Sequence, residues 1–206
     1  MAQHFPESYF KRHDSSSDHN FYSFARKVVH IDDGAINALR TFYADNLPRN
    51  GTYLDLMTSW RSHLPDSLQP KRVYGLGMND EEMVDNPQLD EHIVHSLNDN
   101  PQLPYDAHQF DAVLCAVSVQ YLTQPLAVFS EAHRVLKPNG QFIVSFSNRC
   151  FPTKAVAVWL NMTDKQHIAL ITRYFELSGG WQNIQAESKT SRQRDPMFIV
   201  HGRKST

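Results

Sequence analysis

The stretch from Leu103 to Asn148 limits the possible folds more than any other part of the chain. Two apolar runs, Phe110–Val117 and Phe142–Phe146, show no alternation, the pattern of strands buried on both faces of a parallel sheet. Between them Leu126, Val128, Phe129, Ala132, Val135 and Leu136 recur three and four apart, which predicts an amphipathic helix. Pro125 suits the first helical position, and Pro138-Asn139-Gly140 supplies turn residues before the next strand. Strand, helix and strand in this order make a right-handed βαβ crossover, so the chain is expected to be α/β.

The flanking segments extend that sheet. Thr52–Leu56 and Val73–Leu76 read as short, buried first and second strands, and Glu91–His95 as a more alternating third, edge-like strand. Asp32 or Asp33 caps a helix whose Ile36, Leu39, Phe42 and Tyr43 share a face. Asp80-Glu81-Glu82-Met83 opens a short helix that Asn86-Pro87 ends. Beyond the fifth strand, Thr153–Leu160 and Asp164–Leu177 are expected to be helical, with Thr163 capping the second and Ser178-Gly179-Gly180 stopping it. Trp181–Thr190 and Met197–Gly202 are expected to close the sheet as an antiparallel pair. Residues 1–31, polar at first and then apolar at Phe21-Tyr22-Ser23-Phe24 and Val28-Val29-His30-Ile31, are expected to form an N-terminal arm. Either the arm covers an edge or the helices, or it is a lid over a pocket in the 32–206 domain.

Composition excludes several classes. Twenty Lys and Arg against 22 Asp and Glu leave a formal charge of −2, so no electrostatic footprint for nucleic acid is present. No apolar run approaches the ~20 residues that span a bilayer. The opening MAQHFPESYFKRHD lacks the apolar core of a secretory signal, so a cytoplasmic protein is expected. Cys115 and Cys150 are therefore expected to be free thiols. His63 and His95 are not at metal-ligand spacing, the serines lack a G-x-S-x-G elbow, and Gly75-x-Gly77 lacks the third glycine of a dinucleotide site.

The segments LPYDAHQFDAVLCAVSVQYL and EAHRVLKPNGQFIVSFSN resemble the second half of class I S-adenosylmethionine-dependent methyltransferases, the type 11 branch in particular. There an LP(F/Y)…FD entry leads into the fourth strand, and a helix ending RVLKPGG leads into the fifth. Asn139 stands where that family has its first glycine. The resemblance implies a Rossmann-like, doubly wound, mostly parallel seven-stranded sheet of order 3-2-1-4-5-7-6. It also implies S-adenosylmethionine as cofactor and a small-molecule methyl acceptor.

Ligands of doubly wound sheets bind outside the carboxyl ends of the strands, where strand order reverses. The implied cofactor residues are Asp55, Met57, Thr58 and Ser59 after the first strand, and Gly77, Met78 and Asn79 after the second. Leu97 and Asn98 follow the third strand, and Val117 and Ser118 the fourth. Two departures stand out. The family's D/E-x-G-x-G reads Asp55-Leu56-Met57-Thr58-Ser59 here, with no glycine to free the backbone. Gly77 occupies the place of the acid that accepts the ribose hydroxyls, leaving Asn79 or Asp80 to reach them. Trp60 either plugs the altered site or packs beside it.

The sulfonium methyl is already activated, so alignment and exclusion of water are the protein's main task and a base is optional. His30, His63 and Tyr22 are the candidate bases. Arg149 and Lys154, after the fifth strand with Asn148, are candidates to hold an anionic group of the acceptor. The rival expectation is a catalytically silent, methyltransferase-like binding domain.

Overall fold

A computed structural model describes residues 5–189 and 194–206 of the chain. Its centre is one sheet of seven strands: β1 Thr52–Leu56, β2 Arg72–Gly77, β3 Glu91–Val94, β4 Phe110–Ala116, β5 Leu136–Phe146, β6 Trp181–Ser188 and β7 Phe198–Lys204. They lie in the order β3-β2-β1-β4-β5-β7-β6. The first five run parallel, and β7 pairs antiparallel with both β5 and β6. This is the expected Rossmann-like α/β sheet.

Side-chain alternation sorts the central strands into two cores. Leu54, Leu56, Val113, Cys115, Phe142, Val144 and Phe146 face helices α4 Pro125–Val135 and α6 Asp164–Ser178. Tyr53, Ala112, Leu114 and Ile143 face α2 Asp33–Asn46, which contributes Leu39, Phe42 and Tyr43. Both faces are thus buried, the condition that the unbroken apolar runs foretold. Asp32 caps α2 by accepting from the Ala35 N–H at 2.9 Å. Gly179 and Gly180, at φ of 76° and 75°, stop α6 at positive φ, which glycine takes without a Cβ penalty.

Two local features depart from expectation, and a third is unusual for a parallel crossover. β5 begins at Leu136 instead of Phe142, and the Pro138-Asn139-Gly140 turn is absorbed as an irregularity in the β4–β5 register, with Asn139 at φ 63°. Thr153–Val156 is not helical; only α5, Ala157–Leu160, is. The arm has taken the backbone of that segment: Asp14 N–H donates to Thr153 O at 2.9 Å, and Ala157 N–H to Lys11 O at 2.8 Å. Finally, residues 57–71 carry only the short 3-10 turn Asp66–Leu68 where a parallel crossover usually holds a helix. Leu64 and Leu68 fill the α2-side core in its stead.

The arm is ordered by contact. Its α1, Asp18–Phe21, buries Asp18, which Arg12 meets with a bidentate pair at 2.7 and 2.8 Å. Lys154 Nζ lies 3.2 Å from Asp18 and 3.0 Å from Asp14, and donates to Ser16 O at 2.9 Å.

Candidate functional site

The strand order reverses between β1 and β4, and a cavity of about 320 Å³ opens at their carboxyl ends. That is within the usual range for a small-molecule site, ~300–1,000 Å³. Every residue implied for the cofactor lines it: Asp55, Met57, Thr58 and Ser59 from β1, and Gly77, Met78 and Asn79 from β2. Leu97 and Asn98 come from beyond β3, and Val117 and Ser118 from beyond β4.

The loop after β1 turns through a positive-φ residue although it contains no glycine. Met57, at the first glycine of the motif, has φ 54°, and Val117, just past the end of β4, has φ 50°. Left-handed geometry costs an L-residue roughly 1–2 kcal/mol, and a β-branched one is a clear outlier. The two strained residues stand immediately beyond the two strands that flank the switch point.

Below this loop Asp55 is buried. Its Oδ2 accepts from Thr58 Oγ1 at 2.6 Å. Burial pushes the carboxyl up to about 7, against the hydrogen bonds from Thr58 and Ser62 that lower it. The loop then leans across β2: Thr58 N–H donates to Leu76 O at 3.0 Å, and Asn86 Nδ2 donates to Ser59 O at 2.9 Å. As a result the Thr58 carbonyl lies against the Cα of Gly77, in the space a β-carbon would need. At Gly77, where the resemblance implies an acid, a side chain would meet the backbone of the neighbouring loop.

Two implied polar contacts are already engaged within the protein. Asn79 caps α3, Asp80–Val84, through Oδ1, which accepts from Glu82 N–H at 3.0 Å, while its Nδ2 donates to Tyr22 O at 2.8 Å. Asn98 Nδ2 donates to Asp18 Oδ2 at 2.8 Å and Tyr121 O at 3.0 Å. Its Oδ1 accepts from Thr123 N–H and Oγ1 at 2.8 and 3.0 Å. Asn98 is a brace between the arm and the β4 loop. Asp80 lies outside the cavity, with Oδ1 2.9 Å from His92 Nε2. Leu97 is a buried wall, and Ser118 Oγ donates to Ala116 O at 3.0 Å.

Trp60 does not plug the cavity. It lines the wall, its Nε1–H donating to Val28 O of the arm at 3.1 Å, with Arg61 Cζ 4.0 Å above the ring. Tyr22, Arg26 and His30 of the arm close the same side. Toward the end of β5, Tyr121, Arg149, Cys150 and Phe151 complete the lining. Phe151 packs against Phe21 at 5.2 Å and His30 at 5.0 Å, and stacks with Tyr121 at 6.0 Å.

The three candidate bases all line the cavity. Burial, then Arg40 and Arg61, holds the His63 pKa down at about 4. Burial lowers His30 against the pull of Glu82, and burial raises the Tyr22 hydroxyl. Lys154, expected beside the acceptor, is buried among Asp14, Asp18 and Ser16 and does not line the cavity; the polar arm captured it. Arg149 does line it, with Nε donating to Asp195 Oδ1 at 2.9 Å. Cys115 and Cys150 are free thiols. No cluster able to hold a metal and no helix able to cross a membrane occurs among the described residues.

Sequence reasoning missed Glu82, Asp18 and Arg26 as lining residues. Glu82 was hidden in an acidic first turn that reads as helix capping, and the other two in a polar arm without periodicity.

A sheet of this order with its cavity at the switch point is the fold of class I S-adenosylmethionine-dependent methyltransferases. A family model described as a methyltransferase domain matches residues 58–144. Among solved structures, the (4+2)-cyclase SpnF aligns with a TM-score of 0.63 at 14% identity, over 87% of this chain and 89% of that one. Phosphoethanolamine N-methyltransferase 2 of Haemonchus contortus, solved with S-adenosylmethionine, aligns at 0.59 and 11% identity, over 82% and 52%. These likenesses show the fold, and a cyclase among them shows that one fold serves more than one reaction. The chain is 35% identical over 88 residues to the biotin biosynthesis bifunctional protein BioHC of Teredinibacter turnerae, covering 39% of this chain and 15% of that protein. It is 27% identical over 70 residues to the malonyl-acyl-carrier-protein O-methyltransferase of Marinomonas, covering 34% and 26%. The matched segments therefore span about a quarter or less of these relatives.

Proposed function

We propose that the chain is an S-adenosylmethionine-dependent methyltransferase of the type 11-like branch, acting in the cytoplasm on a small-molecule acceptor. The observation that carries this reading is the convergence of Asp55, Met57–Ser59, Gly77–Asn79, Leu97-Asn98 and Val117-Ser118 on one cavity at the switch point. The residues fit the cofactor's chemistry. Met78 and Leu97 offer apolar surface to an adenine, and buried Asp55 lies beneath the loop on the methionine side. Bound S-adenosylmethionine supplies an activated methyl group. The protein's part is to align the acceptor beside it and exclude water, which the arm favours by covering one side.

In this reading residues 1–31 are a lid and residues 32–206 the catalytic body. The acceptor enters toward the end of β5, between Phe151, Tyr121 and the arm. Arg149 lines that region and Arg26 lines the cavity from the arm, and the two would hold a carboxylate. The name of the Marinomonas relative, an O-methyltransferase of a malonyl group, makes carboxylate-bearing acceptors the first to assay.

A second reading, the silent binding domain, is favoured by one observation: the amides of Asn79 and Asn98 are engaged within the protein. Titration calorimetry with S-adenosylmethionine and S-adenosylhomocysteine separates the two. Micromolar binding of both supports the methyltransferase; no heat at millimolar ligand sinks it.

A further inference from the structure

We infer that Glu82, on α3 and outside the family's motif, is the carboxylate that receives the ribose hydroxyls of the cofactor in this chain. The inference rests on the S-adenosylmethionine reading of the cavity and names a residue that this reading lacks.

The usual position is closed. A β-carbon at Gly77 would run into the carbonyl of Thr58, so no acid fits at the end of β2. Asn79 is neutral and its amide caps α3 and holds Tyr22 O, and Asp80 faces His92 outside the cavity. Among the described residues, three carboxylates line the cavity: Asp18, Asp55 and Glu82. Asp18 is held by Arg12, Asn98 and Lys154. Asp55 lies beneath the loop, under Thr58. Glu82 remains.

Its surroundings ask for further donors. Glu82 is 7% exposed, yet no Lys, Arg or His side chain among the described residues lies within ion-pairing distance of it. Ser59 Oγ donates to Oε2 at 2.6 Å, and the Arg26 N–H donates to Oε1. A carboxylate offers about four acceptor sites, so these two donors leave capacity. Each further donor adds to the hydrogen bonding of this buried carboxyl group, and a vicinal diol brings two O–H groups at once. Ser59, at the second glycine position of the motif, fixes this carboxylate beside the cofactor loop.

Because the arm's Arg26 N–H bonds the same carboxylate, a purely structural role for Glu82 must be separable from a ribose contact. The test pairs a residue change with a ligand change. Calorimetry compares S-adenosylhomocysteine with its 2′,3′-dideoxy analogue on wild type and on Glu82→Gln. A lost hydrogen bond to a charged group is worth roughly tenfold or more. Wild type is expected to prefer the hydroxylated ligand by about that factor, and Glu82→Gln to lose most of the preference while binding the dideoxy analogue nearly as wild type does. If the variant keeps the preference, or loses affinity for both ligands equally, Glu82 is not the ribose acceptor. Wild type that binds neither ligand at millimolar concentration overturns the cofactor reading itself, and this assignment with it.

Discussion

The carbonyl oxygen of Thr58 occupies the space that a β-carbon of Gly77 would need. This one contact links the two departures from the motif that the resemblance implies: the loop without glycines leans onto the end of the strand that carries no acid. The loop is anchored there by Thr58 N–H to Leu76 O and by Asn86 to Ser59 O. Placing an acid there as Gly77→Asp is therefore expected to damage the fold and not to improve the site. The clash is with backbone, so a cost of about 2–3 kcal/mol is expected, the upper part of the overpacking range. Urea denaturation checks it: a midpoint equal to wild type would show that the loop moves aside freely.

Asp55 makes stability depend on pH. Its carboxyl rises from 3.8 to about 7 on folding, so the native state holds the proton more tightly than the unfolded chain. The contribution favours the fold below pH 3.8 and is lost progressively as pH rises to about 7, levelling above it. The span corresponds to a penalty on the order of 4 kcal/mol at pH 8, at about 1.4 kcal/mol per unit. Asp55→Asn cannot charge and its amide oxygen still accepts from Thr58. It is expected to exceed wild-type stability at pH 8 and to match it near pH 4, read from urea midpoints at both values. Equal differences at both would remove the linkage.

Asp18 holds the arm. Burial opposes its charge, but hydrogen bonds from Asn98 and Arg12 win and keep the carboxyl below its ordinary range. Asp18→Ala leaves Lys154, fully buried, with only Asp14 as a carboxylate partner, and breaking such a buried network costs about 3 kcal/mol or more. Faster proteolysis within residues 5–31 is expected alongside the lower urea midpoint. An unchanged cleavage rate would show that other contacts seat the arm.

How much of this was legible in the sequence follows from the range of the forces involved. Strands β4 and β5 were readable because burial on both faces writes an unbroken apolar run, and α2 because its cap and its stripe lie within a few residues of each other. The helix expected from Thr153 was lost to hydrogen bonds from Asp14 and to Lys11, more than a hundred residues away in sequence, which no local pattern records. The strand ends placed all the implied residues at the cavity, since topology alone brings loops after parallel strands together. What Asn79, Asn98 and Lys154 do there was not legible. Each is engaged by the arm, through Tyr22 or Asp18, and the arm's path has no periodicity to announce it.

Trp60 provides the sharpest test of the altered loop. A plug and a brace predict opposite effects of removing the ring. The indole lines the cavity without filling it, donates to Val28 O, and carries Arg61 on its face. It therefore joins the β1 loop to the arm. Trp60→Gly should release the arm's hold on the loop and weaken S-adenosylhomocysteine binding roughly tenfold, the equivalent of about 1.4 kcal/mol. Trp60→Phe keeps much of the packing and loses one hydrogen bond, about 0.5–1.5 kcal/mol, so it should fall between wild type and the glycine variant. Calorimetric titration of the three proteins orders them. Tighter binding in Trp60→Gly than in wild type would mean that the indole obstructs the site, and would shift the weight to the silent domain.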